Sequence, residues 1–490
     1  MISSRSPIFV DLDGTLVATD TLHEAFFALC ARSPVAALHA FLVLGRGRAA
    51  FKRQVLEAAK PRGAPVLPYR TSVLTFLRGE RKRGRPLVLV TASDQLTADA
   101  VADDLSIFDL ALGSDGKTNL EGKRKLEAIQ RVCAERGWSD FGYVGDARAD
   151  LAVWAEAADV YVAGAHPAVV RQLQAGGAQP QVIATRPGVL RNLVRACRPH
   201  QWAKNTLVFV PLLLAHEWND GTKLLAATLA FVAFSLAASA MYLVNDLLDL
   251  ESDRKHARKK HRPFAAGDLP VVVGPIAAVA LVAMSATLTV TLLPVQFGFL
   301  LLGYLVTTQL YSLYLKKRLL LDVFTLALLY ILRVLGGGLA TGTLVTQWLL
   351  AFAGFLFTSL AFAKRYTELA AQSDAGAVQS GEGRGYGIGD LGIIESVGPT
   401  SGYLAGLVLA LYINSSEGSD LYANPLWLWL LCPLVLYWIT RVWFVAKRRQ
   451  LHTDPVVFAL TDRVSLIVGL IGIGLVLGAS YGWGPVLFAD

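Results

Sequence analysis

Residues 9–15 read Phe-Val-Asp-Leu-Asp-Gly-Thr, and this stretch decides the fold of the first part of the chain. A short apolar run ends there in two carboxylates, Asp11 and Asp13, followed by a glycine turn. Alternate residues of a strand point the same way, so both side chains lie on one side of the strand end. Open α/β folds bind ligands at the carboxyl edge of the sheet. The stretch therefore predicts a buried strand that carries a polar site.

Further apolar runs, each bounded by turn residues, alternate with helical patterns along the first part of the chain. Together with the first run they cover residues 8–12, 87–90, 141–144, 159–163 and 181–184. This rhythm predicts a Rossmann-like parallel sheet flanked by helices, in a domain of residues 1–185.

A long, mainly helical insertion at about residues 21–77 separates the first two predicted strands. We expect it to form a cap over the carboxyl edge of the sheet. Its apolar stretch at residues 35–44 is too short to span a bilayer, so it packs in a core or, alternatively, lies on the membrane surface.

The composition excludes a wholly soluble protein. Of the 490 residues, 54% are hydrophobic and only 17% are charged, whereas soluble proteins carry about a quarter charged residues. Apolar runs long enough for a bilayer occur only after about residue 200. We predict an all-α membrane domain of residues 205–490, preceded by a basic amphipathic junction of residues 186–204. The nine predicted spans are residues 205–217, 224–246, 271–292, 295–314, 320–341, 347–363, 398–413, 425–445 and 464–487.

Basic residues concentrate in the loops that follow even-numbered spans. Positive loops face the cytoplasm, so the first domain, which starts at Met1 without a signal-peptide pattern, is expected there too. The protein is thus predicted to be a multi-pass protein of the cytoplasmic (inner) membrane. Its net charge of +8 is explained by this topology and by anionic lipid or phosphate partners, and no nucleic-acid partner is expected. Four cysteines without paired spacing suggest neither a zinc site nor disulfides.

Polar motifs follow three of the predicted strands, in an order that resembles the haloacid dehalogenase (HAD) superfamily of phosphatases over about residues 7–165. Besides residues 11–15, the motifs are Thr91 after the second strand, a basic pair opening a helix, and Gly-Asp-Ala-Arg-Ala-Asp at residues 145–150. The alternative is that these acids are only turn and cap residues.

The HAD resemblance implies a role for each motif residue. Asp11 attacks phosphorus, Asp13 acts as general acid and then general base, and Thr91 binds phosphoryl oxygens. The family's lysine corresponds to Lys125, with Lys123 as the alternative. Mg²⁺ is held by Asp11, the Asp13 carbonyl and Asp146, with Asp150 in support.

A second acidic motif lies near the end of the second predicted span. Asp246, Asp249 and Asp253 are spaced by three and four residues and so share one helical face. Stacked like charges repel unless a cation lies between them, and acids at membrane depth are usually functional. The motif predicts a Mg²⁺ and diphosphate site, with a solvated helix end as the alternative. Arg254 and the basic residues after it, up to Arg262, could neutralise further phosphates, although any cytoplasmic loop is enriched in such residues.

This motif, read from Asn245, resembles the UbiA superfamily of membrane prenyltransferases over about residues 198–488. Four segments narrow the resemblance to the decaprenyl-phosphate phosphoribosyltransferase branch: residues 198–205, 253–263, 311–316 and 364–369. The resemblance implies substrate binding by Asn245, Lys204 and Arg262. Where quinone-making members have a second acidic pair, this sequence has Lys364, Arg365 and Glu368, which suits anionic substrates better than a second metal.

The two resemblances together imply a bifunctional enzyme. The membrane domain would transfer 5-phosphoribose from phosphoribosyl pyrophosphate to polyprenyl phosphate, and the HAD domain would remove the 5-phosphate. Two alternatives are a prenyltransferase with an aromatic or alcohol acceptor beside an independent phosphatase, and a non-catalytic lipid-binding protein. A P-type ion pump is disfavoured because pumps lack an acid in the position of Asp13. The expected partners are these substrates and the bilayer, and the sequence is compatible with an oligomer.

Overall fold

The computed structural model describes residues 6–42, 48–59, 66–115, 118–256, 258–374, 385–451 and 454–481. The chain forms two compact units: Met1–Cys197 with Tyr242–Val279, and Arg198–Met241 with Ala280–Asp490. The first unit therefore combines the α/β domain with the loop after the acidic motif.

A six-stranded parallel sheet forms the centre of the α/β domain. Its order is β3-β2-β1-β4-β5-β6, so the strand order reverses between β1 and β4, where such folds bind ligands. The strands are β1 Ile8–Val10, β2 Leu87–Asp94, β3 Leu110–Ser114, β4 Gly142–Gly145, β5 Asp159–Ala163 and β6 Gln181–Ala184. The predicted α/β fold is confirmed. Among the strands that the structure describes, the apolar runs did not predict β3, a short, half-buried edge strand.

Helices cover both faces of the sheet. Ile8 and Val10 pack on one side with α4 and α5, whereas Phe9 packs on the other with α6 and α8, as strand alternation requires. The helices of this domain are α1 Thr21–Arg32, α2 Pro34–Leu42, α3 Arg48–Ala59, α4 Thr71–Lys82, α5 Gln95–Leu105, α6 Lys123–Arg136, α7 Leu151–Trp154, α8 Pro167–Ala175 and α9 Val189–Cys197.

The cap consists of α1 to α3. These helices share a small core of their own around Leu29 and Val55, whereas α4, at the end of the predicted cap, packs on the sheet through Val73 and Leu77. Within the apolar stretch that begins at residue 35, Ala37 and Ala40 are buried and Leu38 is exposed. Part of that stretch therefore packs in the cap core. Residues 43–44 lie outside the described residues.

The rest of the chain is helical and carries the membrane spans. Its helices are α10 Val210–Leu214, α11 Gly221–Leu248, α12 Leu250–Lys255, α13 Val273–Leu292, α14 Val295–Leu313, α15 Leu321–Thr341, α16 Gln347–Asp374, α17 Leu391–Ile413, α18 Ser416–Leu421, α19 Leu431–Lys447, α20 Pro455–Thr461 and α21 Arg463–Tyr481. Turns of 3₁₀-helix at Ile388–Asp390 and Pro425–Leu430 extend α17 and α19.

Within the described residues, seven helical segments are long and apolar enough to cross a membrane, which supports a multi-pass membrane protein. They contain α11, α13, α15, α16, α17, α19 and α21. Nine spans are not confirmed. Residues 205–217 form the end of a 3₁₀-helix, Pro199–Phe209, and the five-residue α10 instead of a long helix. The helix α14 lies at the predicted fourth span, but it is not among these seven.

In the second unit, the 3₁₀-helix Pro199–Phe209 packs closely on α15. A side chain at Gly337 would place its Cβ 1.9 Å from the carbonyl oxygen of Val208. Backbone atoms cannot move aside as a flexible side chain can. The absence of a side chain at Gly337 therefore permits this contact.

We expect Gly337→Ala to destabilise the membrane domain, because overpacking of this kind costs about 1–3 kcal/mol. Gly354→Ala in α16 is the matched control, since its Cβ would meet no atom of the described part of the chain within 4 Å and helical glycine is about 0.5–1 kcal/mol worse than alanine. Thermal unfolding of the detergent-solubilised chain measures both variants. Equal midpoints for the two would contradict the close contact.

Candidate functional site

Three carboxylates converge where the strand order of the sheet reverses. Asp11 directly follows β1 and Asp146 directly follows β4, and the amide of Asp11 donates to the Val144 carbonyl at 2.9 Å. Asp11, Asp146 and Asp150 each offer one oxygen, all within 4.8 Å of one another. The predicted acids of the first site are thus brought together at the predicted edge.

Lys125 is the cation at this cluster. Its Nζ lies 3.0 Å from Asp11 Oδ1 and 3.1 Å from Asp150 Oδ1, and it donates to the Tyr143 hydroxyl at 3.0 Å. Lys123, at the start of the same helix, is exposed. Burial lowers the pKa of Lys125, but Asp11 and Asp150 outweigh it and hold that pKa above its ordinary value. The geometry therefore favours Lys125 over Lys123 for the family's lysine.

The cluster has more negative charge than one lysine balances. Burial raises the pKa of Asp11 to about 7, with Lys125 opposing and Asp150 adding to the shift. Burial, followed by repulsion from Asp11 and Asp150, raises the pKa of Asp146 to about 8. Converging oxygen ligands with uncompensated charge are the donor set that Mg²⁺ prefers. The residues present therefore fit the expected cation.

Asp150 organises the turn after β4. Its Oδ1 accepts from Lys125 and, at 2.6 Å, from the hydroxyl of Tyr143, while its Oδ2 accepts from the amides of Asp146 at 3.3 Å and Ala147 at 3.1 Å. These contacts place Asp150 beside the backbone of Asp146, and its support of a bound Mg²⁺ stays a prediction. Tyr143 was not among the predicted site residues, because it is a buried strand residue whose hydroxyl leaves no signature in the sequence.

Asp13 is held by the cap and by the end of β2. Its Oδ1 accepts the amide of Thr21 at 2.7 Å, and its Oδ2 accepts a short hydrogen bond from Ser93. The amide of Ser93 in turn donates to the Thr91 hydroxyl at 3.0 Å. Burial, with repulsion from Asp20, raises the pKa of Asp13, which favours the protonated form that a general acid needs.

Gly14 allows the motif loop to approach Asp146. Its φ is +75°, and a Cβ there would lie 2.3 Å from Asp146 Oδ2. Only glycine combines this conformation with so close an approach.

The second acidic motif is also partly assembled, within the first compact unit. Asp246 and Asp253 are buried, and Arg262 Nη1 lies 3.1 Å from Asp246 Oδ1 and 2.5 Å from Asp253 Oδ2. The backbone after α11 keeps helical hydrogen bonds. The amide of Asp249 donates to the carbonyl of Asn245, and the amide of Asp253 donates to the carbonyl of Asp249. Asp253 Oδ1 is buried and accepts no hydrogen bond from the described residues, although Lys259 Nζ lies 4.0 Å away. Two of the three predicted acids, Asp246 and Asp253, therefore meet at Arg262, and a cation site formed with Asp249 stays a prediction.

A third cluster, in the second unit, unites two predicted lysines. Lys204 Nζ lies 2.8 Å and Lys364 Nζ 3.0 Å from Asp454 Oδ2, and the Tyr330 hydroxyl donates to Asp454 Oδ1 at 2.8 Å. Asp454 also caps α20 by accepting the amide of Val456. Asp454 was not among the predicted site residues, because an Asp before Pro has the pattern of an ordinary helix cap.

Arg365 and Glu368 belong to a neighbouring network on α16. The guanidinium of Arg365 is buried and forms ion pairs with Asp322 and Glu368, and it donates to the Tyr311 hydroxyl at 2.9 Å. Asp322 was also missed. With two acids beside it, Arg365 is compensated by the protein itself, and a role for Arg365 and Glu368 in substrate binding stays a prediction.

Known proteins resemble both parts of the chain. The UbiA prenyltransferase family matches residues 206–467, and the haloacid dehalogenase-like hydrolase family matches residues 8–154. An uncharacterized protein of Sinorhizobium fredii is 36% identical over 467 residues, which are 95% of this chain and 89% of that protein. The nodulation protein NoeC of Azorhizobium caulinodans is 35% identical over 285 residues, 58% of this chain and 90% of that protein.

The name of a third relative states an enzymatic activity. The decaprenyl-phosphate phosphoribosyltransferase of Corynebacterium glutamicum is 37% identical over 189 residues, which are 38% of this chain and 57% of that protein. Both resemblances drawn from the sequence motifs are confirmed.

We expect Lys125→Met to destabilise the α/β domain by about 3–5 kcal/mol, because it leaves buried carboxylates without their cation. Lys123→Met is the matched control and should change stability by less than about 0.5 kcal/mol, since Lys123 is exposed. Hydrogen exchange of β1 and β4 amides in the full chain, followed by mass spectrometry, reports the difference. Unchanged protection in Lys125→Met would mean that the lysine does not compensate these acids.

Proposed function

Because the chain belongs to the UbiA prenyltransferase family and carries a haloacid dehalogenase-like hydrolase domain, we propose that it catalyses two successive steps. The membrane domain transfers 5-phosphoribose from phosphoribosyl pyrophosphate to polyprenyl phosphate and releases pyrophosphate. The α/β domain then hydrolyses the 5-phosphate ester and leaves polyprenyl-phosphoryl ribose.

One observation carries this proposal: a phosphatase-type carboxylate site occurs in one chain with a domain that resembles decaprenyl-phosphate phosphoribosyltransferase. Transfer of phosphoribose yields a lipid that retains a phosphate monoester at C5. A HAD-type site acts on that class of bond, so the second domain accepts the product of the first. The cytoplasmic side of the inner membrane is the expected place for both steps.

The transferase step requires charge stabilisation at the leaving group. The C1–O bond to pyrophosphate breaks, and an oxygen of the polyprenyl phosphate forms the new bond to C1. Asp246, Asp249 and Asp253 would hold Mg²⁺, which neutralises pyrophosphate as it leaves. Arg262 holds two of these carboxylates in place and keeps positive charge beside them.

Lys204 and Lys364 supply the positive charge that anionic substrates require. Both ammonium groups face Asp454, which fixes their positions. Lys364 occupies the part of the sequence where an isoprenyl diphosphate site would carry further acids, and this supports a phosphate-bearing acceptor.

In the phosphatase step, Asp11 is the nucleophile. Its carboxylate attacks phosphorus and forms an aspartyl phosphate, while Asp13 donates its proton to the departing C5 oxygen. Asp13 then takes a proton from water, which attacks the aspartyl phosphate and releases inorganic phosphate. Lys125 holds Asp11 in place, and Asp146 with Asp11 would hold the Mg²⁺ that this chemistry requires.

The direct test gives the purified full chain phosphoribosyl pyrophosphate, Mg²⁺ and polyprenyl phosphate, and identifies the lipid products by mass spectrometry. We expect the wild type to form polyprenyl-phosphoryl ribose. Consumption of geranylgeranyl diphosphate with an aromatic acceptor, and none of phosphoribosyl pyrophosphate, would replace this proposal by the prenyltransferase alternative.

Asp11→Asn should make the 5-phosphorylated lipid accumulate, because the carboxamide keeps the shape of the side chain but is not a nucleophile. Pyrophosphate release should remain at the wild-type rate and serves as the internal control. If the variant still freed phosphate from this lipid at the wild-type rate, Asp11 would not be the nucleophile.

Asp246→Asn should abolish pyrophosphate release, with a loss of at least about a hundredfold, because charge stabilisation of the leaving group is removed. Hydrolysis of p-nitrophenyl phosphate by the same preparation is the control and should persist. Pyrophosphate release that survives this change would remove Asp246 from the donor site.

A further inference from the structure

We propose that the cap of the phosphatase domain positions the donor-binding loop of the transferase, through an ion pair between Glu24 and Arg254. Glu24 lies on α1 of the cap, and Arg254 follows Asp253 in the acidic motif. Arg254 Nη1 donates to Glu24 Oε2 at 2.6 Å, and Nη2 donates to Oε1. The inference rests on the proposed function in one respect: it takes the loop that carries Asp253 and Arg262 as the donor site.

Burial makes this pair energetically important. The side chains of Arg254 and Glu24 are only 7% and 9% exposed. Removing one member of a buried pair leaves an unpaired charge, which is strongly destabilising. A second pair in the same region, Arg32 with Glu251, is 44% and 51% exposed, and exposed pairs contribute little.

Arg254 also donates hydrogen bonds to backbone carbonyls of two other segments, one before α4 and one in the loop before α13. Its Nε donates to the carbonyl of Ala265 at 3.1 Å, and its Nη1 donates to that of Val66 at 3.0 Å. The guanidinium therefore has hydrogen-bond partners within the protein. These contacts do not support the suggestion from the sequence that Arg254 neutralises substrate phosphates. In the same loop, Arg262 faces Asp246 and Asp253, and Lys259 lies within 4.0 Å of Asp253.

Other parts of the α/β domain hold the same loop. Gly267 has φ +76°, and a Cβ there would lie 2.5 Å from the side chain of Ala18. Asn192 on α9 donates to the Asp268 carbonyl at 3.3 Å. The loop between the acidic motif and α13 therefore takes its shape from the phosphatase domain at several points.

The consequence concerns binding of the donor. A loop that is free to open holds Asp253 and Arg262 in the binding geometry for only part of the time, and apparent affinity falls by that fraction. Loss of the ion pair should thus raise the KM for phosphoribosyl pyrophosphate and leave kcat largely unchanged. The phosphatase domain would then support the first reaction structurally as well as performing the second.

The experiment compares Glu24→Gln with Arg32→Gln, the matched control in the exposed pair, in the full detergent-solubilised chain. We expect Glu24→Gln to raise the KM for phosphoribosyl pyrophosphate by about tenfold or more, with kcat changed less than twofold. Amides of residues 250–262 should exchange hydrogen faster. Arg32→Gln should match the wild type in both measurements, and Glu24→Asp, which keeps the charge, should recover part of the loss.

The double variant Glu24→Gln/Arg254→Gln tests whether the defect of Glu24→Gln comes from the unpaired charge of Arg254 or from a general failure to fold. It removes both charges, so it leaves no unpaired charge, and its defect should be no larger than that of Glu24→Gln alone. Additive defects, or a Glu24→Gln variant with wild-type KM and exchange, would overturn the inference. A wild type that ignores phosphoribosyl pyrophosphate would contradict the proposed function instead, and the exchange measurement would still decide whether Glu24 positions the loop.

Discussion

Buried carboxylates must lie beside cations, and the polar sites of this protein depend on that constraint. Desolvating an acid costs several kcal/mol unless a positive partner or a metal is present. Asp11 lies against Lys125, Asp253 against Arg262, and Asp454 against two lysines. Each pairing fixes side chains that would otherwise move, because separation would expose a charge to a medium of low dielectric constant.

The clusters differ in the balance between acids and cations. At the end of β1 and β4 three carboxylates face one lysine, and the excess negative charge suits a divalent cation. Around Asp454 two ammonium groups face one carboxylate, and the excess positive charge suits a phosphate. Around Arg365 two acids face one guanidinium that is almost fully buried, and such a group holds helices together. Burial thus distinguishes Arg365 from Arg262, which also faces two acids but is 27% exposed.

Sequence patterns predicted what depends on local order along the chain. The motif of residues 11–15 placed Asp11 at a strand end, because strand alternation and a glycine turn are local properties. The edge strand β3 and the number of membrane spans were harder to predict from local patterns. Residues 205–217 are as apolar as a span but form the end of a 3₁₀-helix and a short α-helix. The close packing of Gly337 on Val208 is consistent with this irregular conformation.

What the sequence could not predict is the partner of each charged group. Asp454 meets Lys204 and Lys364, and Glu24 meets Arg254, across long stretches of chain that only the tertiary fold brings together. The Glu24 pair lies directly beside Asp253, so a group in one domain compensates a charge next to the acidic motif of the other. Such a contact is available only when both domains are in one chain or in a stable complex, since a free cap would leave Arg254 without its buried carboxylate. The fusion therefore does more than keep two domains close together: under our proposal, it supplies the charge that holds the loop after the acidic motif in its folded conformation.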